Sequence, residues 1–306
     1  MFLNNASKGL NDVSRNILTI GIVIAFFGFI GYFPLILSLL AKYADMEQLE
    51  NTKYMSALLG TNTFFVLILF PFILGLISLI FSIKFIHKRT IKSLFTVRNF
   101  FDWKRFFFSF FIWGGVMLVF FLISFFSGDS IKWNINTSTF VMLVLISILI
   151  LPLQTTFEEA FFRGFLFQAT GSIFKRGWVS VVITGVLFGM MHVGNPEVDR
   201  IGMVLMVYYI MNGLFLGLIV LMDDGLELTM GYHAINNIFA AVLVTNDWQA
   251  FHTDALFMDT SPPQFGYQDI LVLLIIQPLL ILVFSKKYKW KNWKQRILQP
   301  SNEVES

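Results

Sequence analysis

A stretch of 22 residues without a single charged side chain runs from Phe106 to Ser127 and reads FFFSFFIWGGVMLVFFLISFFS. A helix needs about 20 mostly apolar residues to cross the hydrocarbon core of a bilayer, so this stretch is long enough. Runs of phenylalanine such as residues 106–108 suit a helix that faces lipid, because a soluble helix keeps one polar face. We therefore expect a transmembrane helix here.

The composition of the whole chain extends this expectation. Of the 306 residues, 56% are hydrophobic and only 13% are charged, whereas soluble domains carry about 25% charged residues. The absence of cysteine excludes disulfides and thiolate chemistry. The net charge of +3 is modest and its basic residues are clustered, which we interpret as a sign of membrane topology and not of nucleic-acid binding.

The apolar segments predict an all-α, polytopic transmembrane helical bundle of about eight spans. The predicted spans are residues 16–41, 57–83, 106–127, 138–170, 178–194, 202–222, 226–246 and 269–285. The fourth is too long for one simple crossing, and Pro152 predicts a kink or break in it. Thr155 and Thr156 each precede a glutamate by three residues, a capping-box pattern that predicts a helix restart there.

The distribution of lysine and arginine predicts the orientation. Seven of these residues lie in segment 84–105 and six in the tail from Lys286 to Arg296, whereas loop 247–268 has none and loop 128–137 has only Lys132. We expect a protein of the bacterial cytoplasmic membrane with both termini in the cytoplasm. The acidic loop at Asp223 and Asp224 would also be cytoplasmic, although it lacks basic residues.

Three regions are expected along the chain. Residues 1–136 form an N-terminal three-span membrane region, residues 137–246 a catalytic helical core, and residues 247–306 an outer loop, the last span and a basic cytoplasmic tail. His87 and His252 lie in predicted loops, so we expect both to be solvated. Gly213 and Gly217 form a small-residue pair that is typical of a helix–helix contact.

Ionisable residues within the predicted spans are costly in lipid and are therefore candidates for function. They fall into three groups: Glu158-Glu159-Ala-Phe-Phe-Arg163, Phe188-Gly-Met-Met-His192 and His233-Ala-Ile-Asn-Asn237. Glu159 and Arg163 are four residues apart, with the acid first, and are expected to pair, which leaves Glu158 free. His233 and Asn237 share one helix face.

The geometry of the spans lets these groups meet. Glu158 and His192 each lie about 15 residues from the turn at 171–177, so both should stand roughly 20 Å from it on neighbouring antiparallel helices. His233 lies on a third helix, and tilt can bring it level with the other two. A carboxylate, two imidazoles and an amide are thus expected to converge.

These groups suit peptide hydrolysis, which needs an activated water and a stabilised oxyanion. Glu158 can act as the base, His192 can hold the same water, and His233 and Asn237 can donate hydrogen bonds. Alternatively, Glu158, His192 and His233 can bind a metal, since two histidines and one glutamate form a catalytic zinc set. The His-Glu-x-x-His pattern is absent, so the residues leave metal and metal-free chemistry open.

The three motifs, in this order within residues 158–237, resemble the signature of the type II CAAX prenyl endopeptidase and bacteriocin-processing family, also called the Abi family. The resemblance covers residues 137–246. It implies an eight-span helical fold with an intramembrane site, in which Glu158 and His192 activate water and His233 and Asn237 form the oxyanion hole. Glu159 and Arg163 would be supporting residues. Both a metal-dependent and a glutamate-dependent mechanism have been considered for the family.

The family includes enzymes that trim prenylated CAAX tails and bacterial proteins tied to bacteriocin maturation or self-immunity, and the sequence does not select among them. The expected partners are the lipid bilayer and a peptide or membrane-associated protein substrate, without nucleic acid. Two other functions stay open. A transporter or channel can use Glu158, Arg163 and His192 as a proton or ion relay, and a non-catalytic immunity protein can share the same fold.

Overall fold

A computed structural model describes residues 1–49, 51–128 and 130–298, and it confirms the predicted all-α membrane bundle. Six helices in this part of the chain are long and apolar enough to cross a membrane. They are α1 (Val13–Ala41), α3 (Thr61–Ile86), α5 (Trp103–Ser127), α6 (Thr137–Phe174), α9 (Leu205–Asp223) and α11 (Tyr267–Tyr288).

The shorter helices connect or flank these six. They are α2 (Thr52–Leu59), α4 (Lys92–Phe95), α7 (Gly177–Met190), α8 (Pro196–Ile201), α10 (Glu227–Val242) and α12 (Trp293–Leu298). Two 3₁₀ segments, Phe2–Lys8 and Met46–Gln48, lie outside them.

Two of the eight predicted spans, residues 178–194 and 226–246, form helices that are shorter than a full crossing. Helix α7 has 14 residues and α10 has 16, so they extend about 21 and 24 Å in a hydrocarbon core about 30 Å thick. Helix α7 packs along α9, and α10 packs along α5. Helix α10 is mostly buried among its neighbours, whereas α7 keeps an exposed apolar face that includes Val182 and Val186. The His233 motif lies on α10, and the motif that ends at His192 begins on α7.

The break in the fourth predicted span precedes Pro152. The first part of α6 ends at Leu149, Ile150 departs from ideal helical geometry with φ −103°, and a new helical segment begins at Leu151 with the proline in its first turn. A proline is tolerated there because the first turn needs no amide donor. The predicted restart at Thr155 and Thr156 is wrong, since both residues lie inside the segment Leu151–Glu158.

Large aromatic side chains on the outside of the bundle agree with a lipid-facing surface. Phe29, Phe111 and Phe126 are exposed on α1 and α5. The interior is formed by a smaller set around α6, in which Phe157 and Phe165 are buried against α1 and α3. The apolar runs of the sequence thus supply both the outer surface and the core, as expected where lipid replaces water.

A small sheet joins the two loops that carry almost no basic residues. Strand β1 (Ile131–Trp133) pairs antiparallel with β3 (Phe257–Asp259), and β2 (Val244–Thr245) pairs with β3 in parallel. The sequence pattern does not predict a sheet in these loops. Because the strands are hydrogen-bonded to one another, both loops lie on the same side of the bundle, as their low Lys and Arg content predicted.

The acidic loop after α9 lies against the basic segments on the opposite side. Arg98 forms ion pairs of 2.9 Å with both Asp223 and Glu227, and Arg105 contacts Asp223 at 3.1 Å. The indole of Trp290 also donates to Asp223, at 3.0 Å. Segment 84–105, this loop and the start of the tail therefore share one side, which explains why the loop needs no basic residues of its own.

His87 is buried, so the prediction that it is solvated is wrong. Its Nδ1 atom lies 2.8 Å from the carbonyl oxygen of Leu10 and its Nε2 atom 2.9 Å from Thr19 Oγ1. Burial lowers the pKa of His87, since the charged form would lose its hydration. His252 is half-buried and contacts Ser56 Oγ at 3.2 Å. The burial of His87 depends on the tertiary structure, because the N-terminal segment covers this side chain.

A close helix crossing lies between α7 and α9 at Gly213, as the pair Gly213 and Gly217 predicted. A Cβ atom on Gly213 would overlap the carbonyl oxygen of Gly185 and lie 2.9 Å from its Cα atom. Only glycine permits two helix backbones to approach so closely. This crossing sets the position of the end of α7, where His192 follows.

The orientation can be tested with single thiols, because the chain has no cysteine of its own. Lys104→Cys and Gln264→Cys place one thiol on each side of the bundle, at exposed positions. We expect a membrane-impermeant maleimide to label Gln264→Cys in intact cells and Lys104→Cys only after lysis. The reverse labelling pattern would show that the basic side faces outward.

The α7–α9 crossing yields a stability prediction. Gly213→Ala should lower the free energy of unfolding by about 1–3 kcal/mol, because the added methyl group overpacks the crossing. Gly115→Ala is the matched control, since a Cβ atom on Gly115 meets no atom within 4 Å. Alanine favours a helix, so the control should be neutral or stabilised by up to about 1 kcal/mol. Thermal unfolding in detergent measures both, and equal shifts would contradict the predicted crossing.

Candidate functional site

The first motif lies on a π-helical segment within α6. Glu158 ends the α-helical segment, and residues Glu159–Leu166 follow in π-helical form. Single π-turns inside α-helices are rare and often occur at functional sites, since they redirect side chains. The sequence analysis did not predict this segment. Here it carries Glu159 and Arg163.

Four charged or titratable side chains form one cluster between α6 and α10. Glu159 Oε1 lies 3.0 Å from Arg163 Nη1 and 2.9 Å from His233 Nδ1. The other ring nitrogen of His233, Nε2, lies 3.2 Å from Glu158 Oε2. The predicted Glu159–Arg163 pair is therefore present. Glu158 is not free, however, because His233 bridges the two carboxylates.

The hydrogen-bond roles in the cluster follow from its chemistry. The side chains of Glu159 and Arg163 are fully buried, and a buried carboxylate beside a guanidinium is ionised and accepts hydrogen bonds only. His233 Nδ1 therefore donates to Glu159. One proton shared by His233 Nε2 and Glu158 then gives the four groups a net charge of zero. Neutrality matters here because an unpaired buried charge costs several kcal/mol.

The Arg163 guanidinium also packs on an aromatic ring. Its Cζ atom lies 3.8 Å from the centre of the Phe188 ring, a cation–π contact. Its Nε and Nη2 atoms have no hydrogen-bond partner in the part of the chain that the structure describes. Arg163 therefore contacts Glu159 and Phe188, and its expected supporting role stays a prediction.

His192 also contacts the Phe188 ring. Its ring centre is 4.7 Å from that of Phe188, and the Phe188 centre is 5.9 Å from that of His233. His192 Nδ1 lies 2.8 Å from the Phe188 carbonyl oxygen, which accepts only, so Nδ1 carries the hydrogen. Both imidazoles thus border one aromatic ring, but Glu158 pairs with His233 and not with His192.

Asn237 belongs to a chain of side-chain hydrogen bonds across three helices. Trp113 Nε1 donates to Asn236 Oδ1 at 3.2 Å, Asn236 Nδ2 donates to Asn237 Oδ1 at 3.2 Å, and Asn237 Nδ2 donates to Gln154 Oε1 at 2.9 Å. Sequence reasoning missed Gln154 and Trp113. Gln154 had a detectable signal, since it is a polar residue four positions before Glu158 in an apolar run.

The described residues contain no group of three or more histidine, aspartate or glutamate side chains that could hold a metal ion. Glu158 and His233 are in contact, but His192 does not complete a zinc set with them in this arrangement. Zinc dependence is not tested by this geometry and stays a prediction from the sequence.

The fold and the cluster define a class: a polytopic helical membrane protein that encloses a carboxylate–histidine centre. Residues 136–239 match the family model described as type II CAAX prenyl endopeptidase Rce1-like. The resemblance carried by the three motifs is confirmed, and all six predicted site residues lie within the match. The division of the chain into three regions is not tested and stays a prediction.

One curated protein is similar to this chain. The uncharacterized protein YyaK of Bacillus subtilis (strain 168) is 32% identical over 166 residues. The aligned part covers 54% of this chain and 56% of YyaK, so the chain matches little more than half of that relative. No solved structure shows a significant match.

The buried ion pair yields a second stability prediction. Arg163→Met should cost about 3–5 kcal/mol, because it leaves the Glu159 carboxylate buried without its cation. The double variant Glu159→Gln/Arg163→Met should recover a large part of this loss, since it removes both charges. Lys53→Met is the matched control at an exposed pair with Asp247, where the change should stay within about 1 kcal/mol. Thermal unfolding in detergent distinguishes these results, and an additive double variant would exclude the coupling.

Proposed function

We propose that the protein is an intramembrane endopeptidase that hydrolyses a peptide bond near the membrane surface. The observation that carries this proposal is the contact of Glu158 with His233, which Glu159 holds from its other side, within a segment that matches an endopeptidase family model. The substrate would be a peptide or a membrane-associated protein.

Glu158 is the group that would activate water. Of the two carboxylates it is the one that reaches open space, since 13% of its side chain is exposed whereas Glu159 is fully enclosed. A carboxylate with few water neighbours is a stronger base toward a bound water. Glu158 would accept one proton from that water as the hydroxide attacks the carbonyl carbon of the scissile bond.

His192 would position the same water through its Nε2 atom. Its Nδ1 atom is committed to the Phe188 carbonyl, and Nε2 has no hydrogen bond to any residue that the structure describes. A ring nitrogen in this tautomer accepts a hydrogen bond. Together with Glu158, it can therefore hold both protons of one water before the attack.

His233 and Asn237 would stabilise the oxyanion. The His233 Nε2–H group that rests on Glu158 can turn its hydrogen bond toward the developing negative charge as Glu158 takes the water proton. Asn237 has a second N–H besides the one donated to Gln154. Preorganised donors of this kind contribute most in a site that excludes water. The amine leaves with the proton held by Glu158, which restores the starting charges.

Glu159 and Arg163 would act through His233. Because Glu159 accepts the Nδ1 hydrogen and Arg163 neutralises Glu159, the His233 ring is held with Nε2 toward Glu158. The reaction needs a donor to the oxyanion, His233 Nε2, beside an acceptor of the water proton, Glu158, and this ring orientation places the two side by side. Both residues are thus positioning residues, as the family resemblance implied.

The proposal predicts that Glu158→Gln abolishes cleavage, with a loss of at least roughly 100-fold, since a neutral amide cannot act as the base. His192→Ala should have a comparable effect. His252→Ala is the control, because His252 belongs to none of the three motifs and contacts Ser56. The measurement compares the membrane proteomes of cells that carry each variant, in which uncleaved precursors should accumulate with Glu158→Gln.

The alternatives give different results in the same comparison. If no precursor accumulates and ion or solute flux is lost with Glu158→Gln, the protein is a transporter. If the Glu158→Gln and His192→Ala variants both remain fully functional in cells, the role is a non-catalytic one such as immunity. Normal amounts of each variant in the membrane are needed for either conclusion.

A further inference from the structure

The ring of His192 is stacked on a residue that none of the three motifs contains. The Tyr209 ring on α9 lies 4.2 Å from it, centre to centre, with an interplanar angle of 22°. Phe188 lies near the same imidazole at a tilt of 59°. A single hydrogen bond from Nδ1 to a carbonyl leaves the ring able to swing about that bond, whereas a stacked partner restricts the swing.

Tyr209 is itself held at its far end. Its hydroxyl group donates to Glu197 Oε1 at 2.7 Å, and the same oxygen accepts from Asn195 Nδ2 at 3.1 Å. The second oxygen, Glu197 Oε2, accepts from the backbone amide of Ala250 at 3.0 Å. One carboxylate therefore joins helix α9, the segment after His192 and the loop that follows α10.

This connection matters because α10 carries His233. The loop containing Ala250 continues from α10, and the segment containing Asn195 continues from His192. Glu197 thus connects the two chain segments that present the two imidazoles. Charged acceptors form stronger hydrogen bonds than neutral ones, so this junction is suited to hold a ring in place.

We propose that Tyr209, anchored by Glu197, is a positioning residue that fixes the His192 ring with Nε2 toward the water that Glu158 activates. The inference rests on the proposed peptidase function. The two can be tested separately, however, because the arrangement of the His192 ring can be measured without any substrate. Tyr209 touches neither the water nor the peptide; it acts through His192.

The test uses histidine NMR of the full chain in detergent. The protein has four histidines, so the His192 signals are assigned by their loss in His192→Ala. In the unaltered chain, the ring current of Tyr209 should shift the His192 ring protons upfield. Tyr209→Leu should move them downfield, and Tyr209→Phe, which keeps the stack, should leave them nearly in place. Tyr208→Leu is the matched control, since it removes the neighbouring tyrosine and not the stacked one.

The second readout is cleavage of the precursor that accumulates with Glu158→Gln. Tyr209→Leu should slow its cleavage by roughly 10- to 100-fold, because a reacting group displaced by about 1 Å loses that much. Tyr209→Phe should retain most of the activity. Glu197→Ala should lie between them, because it keeps the stack but removes the Tyr209 anchor, as Tyr209→Phe does, and also removes the hydrogen bonds of Glu197 to Asn195 and the Ala250 amide.

Two outcomes would overturn the proposal. An unchanged His192 signal in Tyr209→Leu would show that Tyr209 does not stack on this ring, and a moved signal with unchanged cleavage would show that the stack does not matter for the reaction. Failure of the proposed function looks different, since no precursor would then accumulate with Glu158→Gln while the His192 signal still responds to Tyr209. Tyr209→Phe guards against a folding artefact because its volume nearly matches that of tyrosine.

Discussion

The Glu159 carboxylate is fully enclosed within a bundle built to lie in lipid, and its charge has to be neutralised from inside the protein. Arg163 and His233 do this at 3.0 and 2.9 Å. The Arg163 guanidinium comes from the next turn of the same helix, but the imidazole must come from α10. This one requirement brings α6 and α10 together, and with them Glu158, which meets the second nitrogen of the same ring. Leaving any of these charges unpaired would cost several kcal/mol.

Close helix packing allows His233 to contact both glutamates. A Cβ atom on Gly231, two residues before His233, would overlap the Phe106 carbonyl oxygen, so α10 lies directly against α5. The Gly185–Gly213 crossing does the same for α7 and α9. Both short helices are therefore packed tightly against long ones, and their polar side chains Ser180, Thr184 and His233 are buried in protein. A peptidase centre of the proposed kind needs such an enclosure, because water and counterions weaken every electrostatic contribution to catalysis.

Much of the candidate site was predictable from the residues, and the exceptions have physical causes. Glu159 and Arg163 pair as their spacing predicted, because i, i+4 contacts depend on the helix alone. That His233 bridges both glutamates was not predictable, since it depends on the π-helical segment and on the approach of a distant helix. The burial of His87 and the three-stranded sheet were missed for the same reason: each is formed by segments far apart in the chain, which periodicity along one segment does not reveal.

The amino-acid sequence by itself determined that the chain is a helical membrane protein, which segments cross or nearly cross the bilayer, and which few polar residues lie among them. Hydropathy decides these features because the bilayer acts on each helix separately. The tertiary structure alone decided the partners: Glu158 contacts His233, Tyr209 stacks on His192, and Asn237 lies in a chain of hydrogen bonds from the Trp113 indole to the Gln154 amide. Helix packing decides these contacts, because the positions of two side chains on different helices depend on crossing angles, glycine contacts and loop pairings that no single segment contains.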